Sequence, residues 1–107
     1  MIPVHYNNET YYAEIISPGY ATNGNTALLL FKEDEPTDPP NGYVVSVNTP
    51  NQIPTEYICI KNWSENAGIE QPLIDAGIIE EKPINYIPSG MVSIPVYPLT
   101  DKALATL

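Results

Sequence analysis

Turn-forming residues cut this chain into short β-prone runs, and that punctuation limits its fold more than any other feature. Ile2–Tyr6 and Tyr11–Ile16 are joined through Asn7-Asn8-Glu9-Thr10, residues suited to a tight turn. In the second run Tyr11, Ala13 and Ile15 share one face, while Tyr12, Glu14 and Ile16 share the other. Pro18-Gly19 ends that run, and Asn23-Gly24 marks a turn before Thr26–Lys32. The core of this third run, Leu28-Leu29-Leu30-Phe31, is continuously apolar and suits a central strand covered on both faces. A buried helix competes for it, but the short length and flanking turns favour a strand. The run 33–42 is polar and closes on Pro40-Asn41-Gly42, so Gly42–Thr49 is expected to return as the second arm of a hairpin with an acidic tip.

Further along, Glu56–Lys61 reads as a strand with Ile58 and Ile60 inward and Cys59 on the opposite face. A helix is expected at about residues 65–76, with Ser64 as N-cap, Glu65 at the positive end of the dipole and Gly77 as the residue after the C-cap. Ile69, Leu73 and Ala76 would form its apolar stripe. Pro72 conflicts with an unbroken helix: either the helix kinks, or its regular part starts near Gly68 and Pro72 falls in the first turn. Ile78–Glu80 and Ile84–Ile87 read as extended. Pro88-Ser89-Gly90 turns the chain into Met91–Tyr97, where Val92, Ile94 and Val96 alternate inward. Pro95 cannot donate to a ladder, which marks that strand as a sheet edge. Residues 99–107 form a short C-terminal tail, with Thr100 or Asp101 capping a frayed helix. The expected fold class is therefore α+β in a single domain, 1–107: a mainly antiparallel sheet with one principal helix on one face. Ile58, Ile60, Ile69, Leu73, Val92, Ile94 and Val96 would be buried between the two.

Charge excludes several functions. Thirteen Asp and Glu face four Lys and no Arg, for a net charge of −9. A chain without a basic stripe or Arg forks does not bind nucleic acid directly, and no glycine-rich phosphate loop is present. No apolar run suggests a membrane span, and no charged-then-apolar start resembles a signal peptide. One cysteine and one histidine exclude an internal disulfide and a Cys/His zinc cluster, so the expected location is cytoplasmic.

The candidate chemistry is thin. His5 stands in no catalytic motif, and Cys59 would be reactive only if Lys61, on the same strand parity, shared a cleft with it. Glu33, Asp34, Glu35 and Asp38 supply oxygen ligands but lack the EF-hand glycine and closing glutamate, and Pro36 stiffens them. The expectation is no catalytic residue, no metal and no cofactor. Alternate carboxylates on an extended strand lie about 6.5–7 Å apart, close to the phosphate spacing of one nucleic-acid strand. Glu33, Asp34, Glu35 and Asp38, joined by Glu80 and Glu81, are thus the candidate partner-binding residues, although acidic turns also serve solubility and guard sheet edges. Eight tyrosines among ten aromatic residues suit a binding surface or a half-buried strand equally.

The run Asn62-Trp63-Ser64-Glu65-Asn66, then Leu73 to Glu80, then Pro88-Ser89-Gly90-Met91-Val92 and Pro95-Val96 resembles a family of small acidic accessory proteins of Gram-positive phages and conjugative elements. Some type II anti-CRISPR proteins are similar in size and charge. The resemblance implies an inhibitor of a host defence enzyme, of anti-CRISPR or anti-restriction type, in the bacterial cytoplasm. Its partner would be a basic nucleic-acid-binding protein such as a Cas9-type nuclease. The alternative is a non-catalytic structural or assembly protein of a phage or mobile element, self-associating through the edge strand Met91–Tyr97 or the tyrosine faces. The resemblance transfers no functional residue.

Overall fold

The computed structural model describes residues 2–32 and 43–107. Its first sheet has the order β1-β2-β3-β4, with β1 at Ile2–Tyr6, β2 at Glu9–Ile16, β3 at Ala27–Phe31 and β4 at Tyr43–Val44. All its pairings are antiparallel. Asn7 and Asn8, with φ of 52° and 63°, form the two-residue turn that sets Tyr6 opposite Glu9. The expected alternation in β2 holds: Tyr11, Ala13 and Ile15 are buried, and the other face is half-buried or exposed. β3 is internal to the sheet, as its apolar run requires, although Leu29 and Phe31 are only half-covered. The returning arm is shorter than Gly42–Thr49. Regular pairing stops at Val44, and the chain then crosses to a second sheet through the bridge between Ser46 and Ile60.

That second sheet is also antiparallel and has the order β5-β7-β6, with β5 at Tyr57–Cys59, β6 at Asn85–Ser89 and β7 at Val92–Pro98. Segment 45–47 stitches the sheets together: Val45 N–H bonds Leu28 O on one side, and Lys61 N–H bonds Val45 O on the other. The main core draws on both sheets, with Val4, Leu28, Leu30, Ile58, Ile60, Ile69, Leu73 and Ile78 all fully buried.

Three expectations are corrected here. The helix expected at 65–76 is divided into a 3₁₀ turn at Ser64–Asn66 and a six-residue helix, α1, at Glu70–Asp75. Ser64 is not an N-cap; it lies inside the 3₁₀ turn at φ 59°. Ile69 is the N-cap of α1, so Pro72 falls in the first turn, where a missing N–H costs little. Gly77 follows the C-cap at φ +74°, as expected, and its N–H bonds Ile74 O. Because α1 is this short, and a second helix, α2, spans only Asp101–Leu104, no principal helix covers a sheet face. α2 is capped by Thr100, whose hydroxyl accepts from Ala103 N–H.

The second correction concerns Pro95. β7 is the central strand of its sheet, not an edge. The ladder with β5 ends at Cys59 opposite Val96, and Pro95 lies one step beyond, where its carbonyl accepts from Ile60 N–H at 3.1 Å. The proline therefore stands where the regular ladder stops. β6 is the edge, and it carries the exposed Pro88. Its hairpin turns at Gly90-Met91, Gly90 having φ +59°, while Pro88 and Ser89 belong to the strand.

Third, Val92, Ile94 and Val96 do not share a core with Ile69 and Leu73. They lie on the opposite face of the second sheet with Cys59, in a smaller cluster covered by Val47, Ile53, Tyr57, Trp63 and Ile87.

Candidate functional site

A concavity with chemistry at its rim lies between β1, α1 and α2. It encloses about 310 Å³ and is lined by Pro3, His5, Pro72, Asp75, Ala76 and Lys102. Its polar groups serve the fold. The His5 ring nitrogen Nδ1 hydrogen-bonds with the Thr10 hydroxyl at 3.1 Å, and Gln71 donates to Asp75 at 2.7 Å. Lys102 donates to Ala76 O at 2.9 Å, a cation on the last carbonyls of α1. The hydroxyl beside the imidazole is that of Thr10, which lies on the β2 side of His5 and is not among the residues lining the opening.

Cys59 is 4% exposed in the smaller cluster, and burial pushes its thiol up, partly offset by a hydrogen bond with Thr49. Lys61 does not activate it, because the ammonium is engaged with Glu65 at 2.7 Å. The thiol is thus protonated and shielded near neutral pH. Alkylation of Cys59 in the folded protein should be at least about a hundredfold slower than in denaturant, measured with a maleimide or iodoacetamide probe. Equal rates in the two states would show a reactive, open thiol.

Glu33, Asp34, Glu35 and Asp38 lie outside the described residues. Glu80 and Glu81 are exposed in the connection between α1 and β6, and Glu80 N–H is fixed to Pro98 O at 3.0 Å. Neither carboxylate enters an ion pair among the described residues. The lysines are largely occupied: Lys32 pairs with Glu9 at 2.7 Å, Lys61 with Glu65, and Lys102 caps α1. Hydrogen bonding to Lys61 holds Glu65 at about 2, and Lys32 lowers Glu9, so both stay ionised at neutral pH. Lys82 is left as an exposed neighbour of Glu81.

Two polar constellations carry no signal in the sequence pattern. Tyr97, at the end of β7, donates its hydroxyl to Glu70, which also accepts from Asn62 at 2.9 Å. Burial, then the carboxylate, pushes the Tyr97 phenol far up, so it acts as a fixed donor tying α1 to the second sheet. Asn25 is buried and bonds three groups of the 48–53 loop. Among the described residues no three His, Cys, Asp or Glu side chains gather to hold a metal ion, and no helix is long and apolar enough to cross a membrane. No family model, curated protein or solved structure matches the chain.

Proposed function

We propose that this chain is a non-catalytic acidic binding protein that docks on the basic nucleic-acid channel of a defence enzyme of its bacterial host, a Cas9-type nuclease being the first target to test. The observation that carries this reading is the state of the charges. Two of the four lysines are paired with carboxylates and a third caps a helix, leaving Glu80 and Glu81 exposed outside any ion pair among the described residues. A net charge of −9 without arginine attracts basic partners over a Debye length and repels nucleic acid. A guide-loaded nuclease offers such a partner, since it holds its heteroduplex in a positively charged channel. For the alternative, a structural or assembly protein, β7 is paired on both sides, which leaves the tyrosine faces as its route to self-association.

The test is binding and cleavage by a guide-RNA-loaded Cas9-type nuclease, and by restriction enzymes, with the wild-type protein and with a variant carrying amides at Glu33, Asp34, Glu35 and Asp38. The wild type should bind with a rate that falls steeply with salt. The folded amide variant should associate about tenfold more slowly and inhibit less. Full potency in that variant removes the 33–38 surface, and failure of the wild type to bind any nucleic-acid enzyme removes the reading.

A further inference from the structure

Exposed apolar side chains are concentrated on one hairpin. Ile84 and Tyr86 are each 56% exposed and Met91 is fully exposed, and all three belong to β6 or the segments that flank it. Tyr86 and Pro88 share one strand parity, and Ile84 precedes the strand with its N–H bonded to Val96 O at 2.8 Å. On β7 that face continues into Pro95 and Tyr97, which are buried, whereas β6 stands beyond the cover of the main core. The hairpin is also electrically distinct. Residues 83–100 contain no charged side chain in a chain of net charge −9, and the exposed run Glu80-Glu81-Lys82, two carboxylates and one ammonium, lies just before them.

We infer that the outer face of the β6–β7 hairpin is a protein-docking surface, with Ile84, Tyr86 and Met91 as apolar anchor and Glu80 and Glu81 as acidic rim, for a partner presenting an apolar cleft bordered by Lys or Arg. This deepens the function proposed above and rests on its basic partner. Apolar and aromatic anchors surrounded by a charged rim are the usual anatomy of a protein interface, and the rim's sign selects a cationic border. Side chains carry the contact rather than an added strand. A two-residue turn makes Ser89 and Val92 a hydrogen-bonded pair, so Asn85, Ile87 and Ser89 direct their backbone groups to β7. Tyr86 and Pro88 face the free edge, and Pro88 has no N–H to give. A second copy is a poor occupant for the same reason, since self-pairing about Tyr86 meets Pro88 on both sides and brings together two chains of charge −9.

Surface plasmon resonance with a guide-RNA-loaded Cas9-type nuclease tests this, using the wild type, the triple variant Ile84→Thr/Tyr86→Ser/Met91→Ser, the single variant Tyr86→Ser and the pair Glu80→Gln/Glu81→Gln. The triple variant should dissociate at least about tenfold faster with an association rate within about twofold, and Tyr86→Ser should show part of that change. The acidic-pair variant should instead associate several-fold more slowly and lose salt dependence. Wild-type binding with unchanged dissociation in both apolar variants overturns the surface and leaves the function standing. Absence of wild-type binding overturns both. A concentration-dependent wild-type dimer that the triple variant abolishes, seen by sedimentation, assigns the face to self-association and overturns the inference.

Discussion

Leu73→Ala is expected to lower the unfolding free energy by about 2–5 kcal/mol, read by urea denaturation. Leu73 is fully buried in the main core, on the face of α1 that carries Ile69 and meets β1. A six-residue helix is far too short to form on its own, so α1 exists because these side chains are buried. Removing Leu73 therefore leaves a cavity and weakens a helix that, with α2, closes this side of the core. Its backbone is committed as well: Leu73 N–H bonds Ile69 O, and Ile78 N–H bonds Leu73 O, which leads the chain out of the helix. Local collapse into the cavity would disturb both links, placing the cost toward the upper part of the range. Ile84→Ala is the control, because an exposed side chain just ahead of the edge strand should change stability by no more than about 0.5 kcal/mol. Equal midpoints for Leu73→Ala and the wild type would mean that α1 is not packed as described.

The hairpins were legible because period-two alternation is a local property. Tyr11, Ala13 and Ile15 point inward for the reason their spacing suggests, and Ile58 and Ile60 oppose Cys59 on the same ground. What the pattern could not supply was which strand lies beside which. Pro95 reads as an edge marker in the sequence, yet its carbonyl still accepts from Ile60 N–H, and the three-residue partner strand ends at Cys59, so the missing N–H costs the sheet only the last step of that ladder. The same rule applied to Pro88 points to the true edge. The helix misreading has a similar origin. Ser64 followed by Glu65 resembles a capped start, but Ser64 adopts φ 59° and the chain restarts its helix beyond Gly68. Of the two readings open for Pro72, the later start is the one the fold adopts, placing the proline where its ring meets no preceding turn.

The candidate site was legible only as chemistry. Composition shows a shortage of cations, but not that Lys32, Lys61 and Lys102 are individually engaged, since Lys32 meets Glu9 through strand pairing and Lys102 meets Ala76 through the docking of α2. Ile84–Ile87 reads as an ordinary extended run; that Tyr86 is exposed while Ile87 packs on the Cys59 cluster follows from the placement of β6 at the sheet edge. Asn23-Gly24 reads as a turn before β3, and nothing in the pattern marks the next residue, Asn25, whose side chain makes three hydrogen bonds to the 48–53 loop.

Those hydrogen bonds yield the second large effect: Asn25→Ala should destabilise the protein by about 2–4 kcal/mol and open the Cys59 cluster ahead of global unfolding. The Asn25 amide donates to Asn51 O at 2.8 Å and Asn48 Oδ1 at 3.1 Å, and its carbonyl accepts from Ile53 N–H at 2.9 Å. Three hydrogen bonds at about 1 kcal/mol each set the scale of the loss. Neighbouring contacts hold the same loop more weakly, with Asn23 donating to Thr49 O and Gln52 donating to Asn23 O, so the loop loosens rather than detaches. The loop also shields the thiol, since Thr49 hydrogen-bonds Cys59 and Ile53 packs on its cluster. Cys59 alkylation should therefore speed up at least about tenfold under native conditions, in a variant that still unfolds cooperatively. Asn25→Asp sharpens the test. A carboxylate keeps the bond from Ile53 N–H but turns acceptor atoms toward Asn51 O and Asn48 Oδ1, so it should cost at least as much as alanine above its carboxyl pKa and recover part of that loss on acidification. Wild-type stability together with unchanged Cys59 labelling in Asn25→Ala would show that the loop is held without Asn25, by the Asn23 and Gln52 hydrogen bonds and the apolar contacts of Ile53.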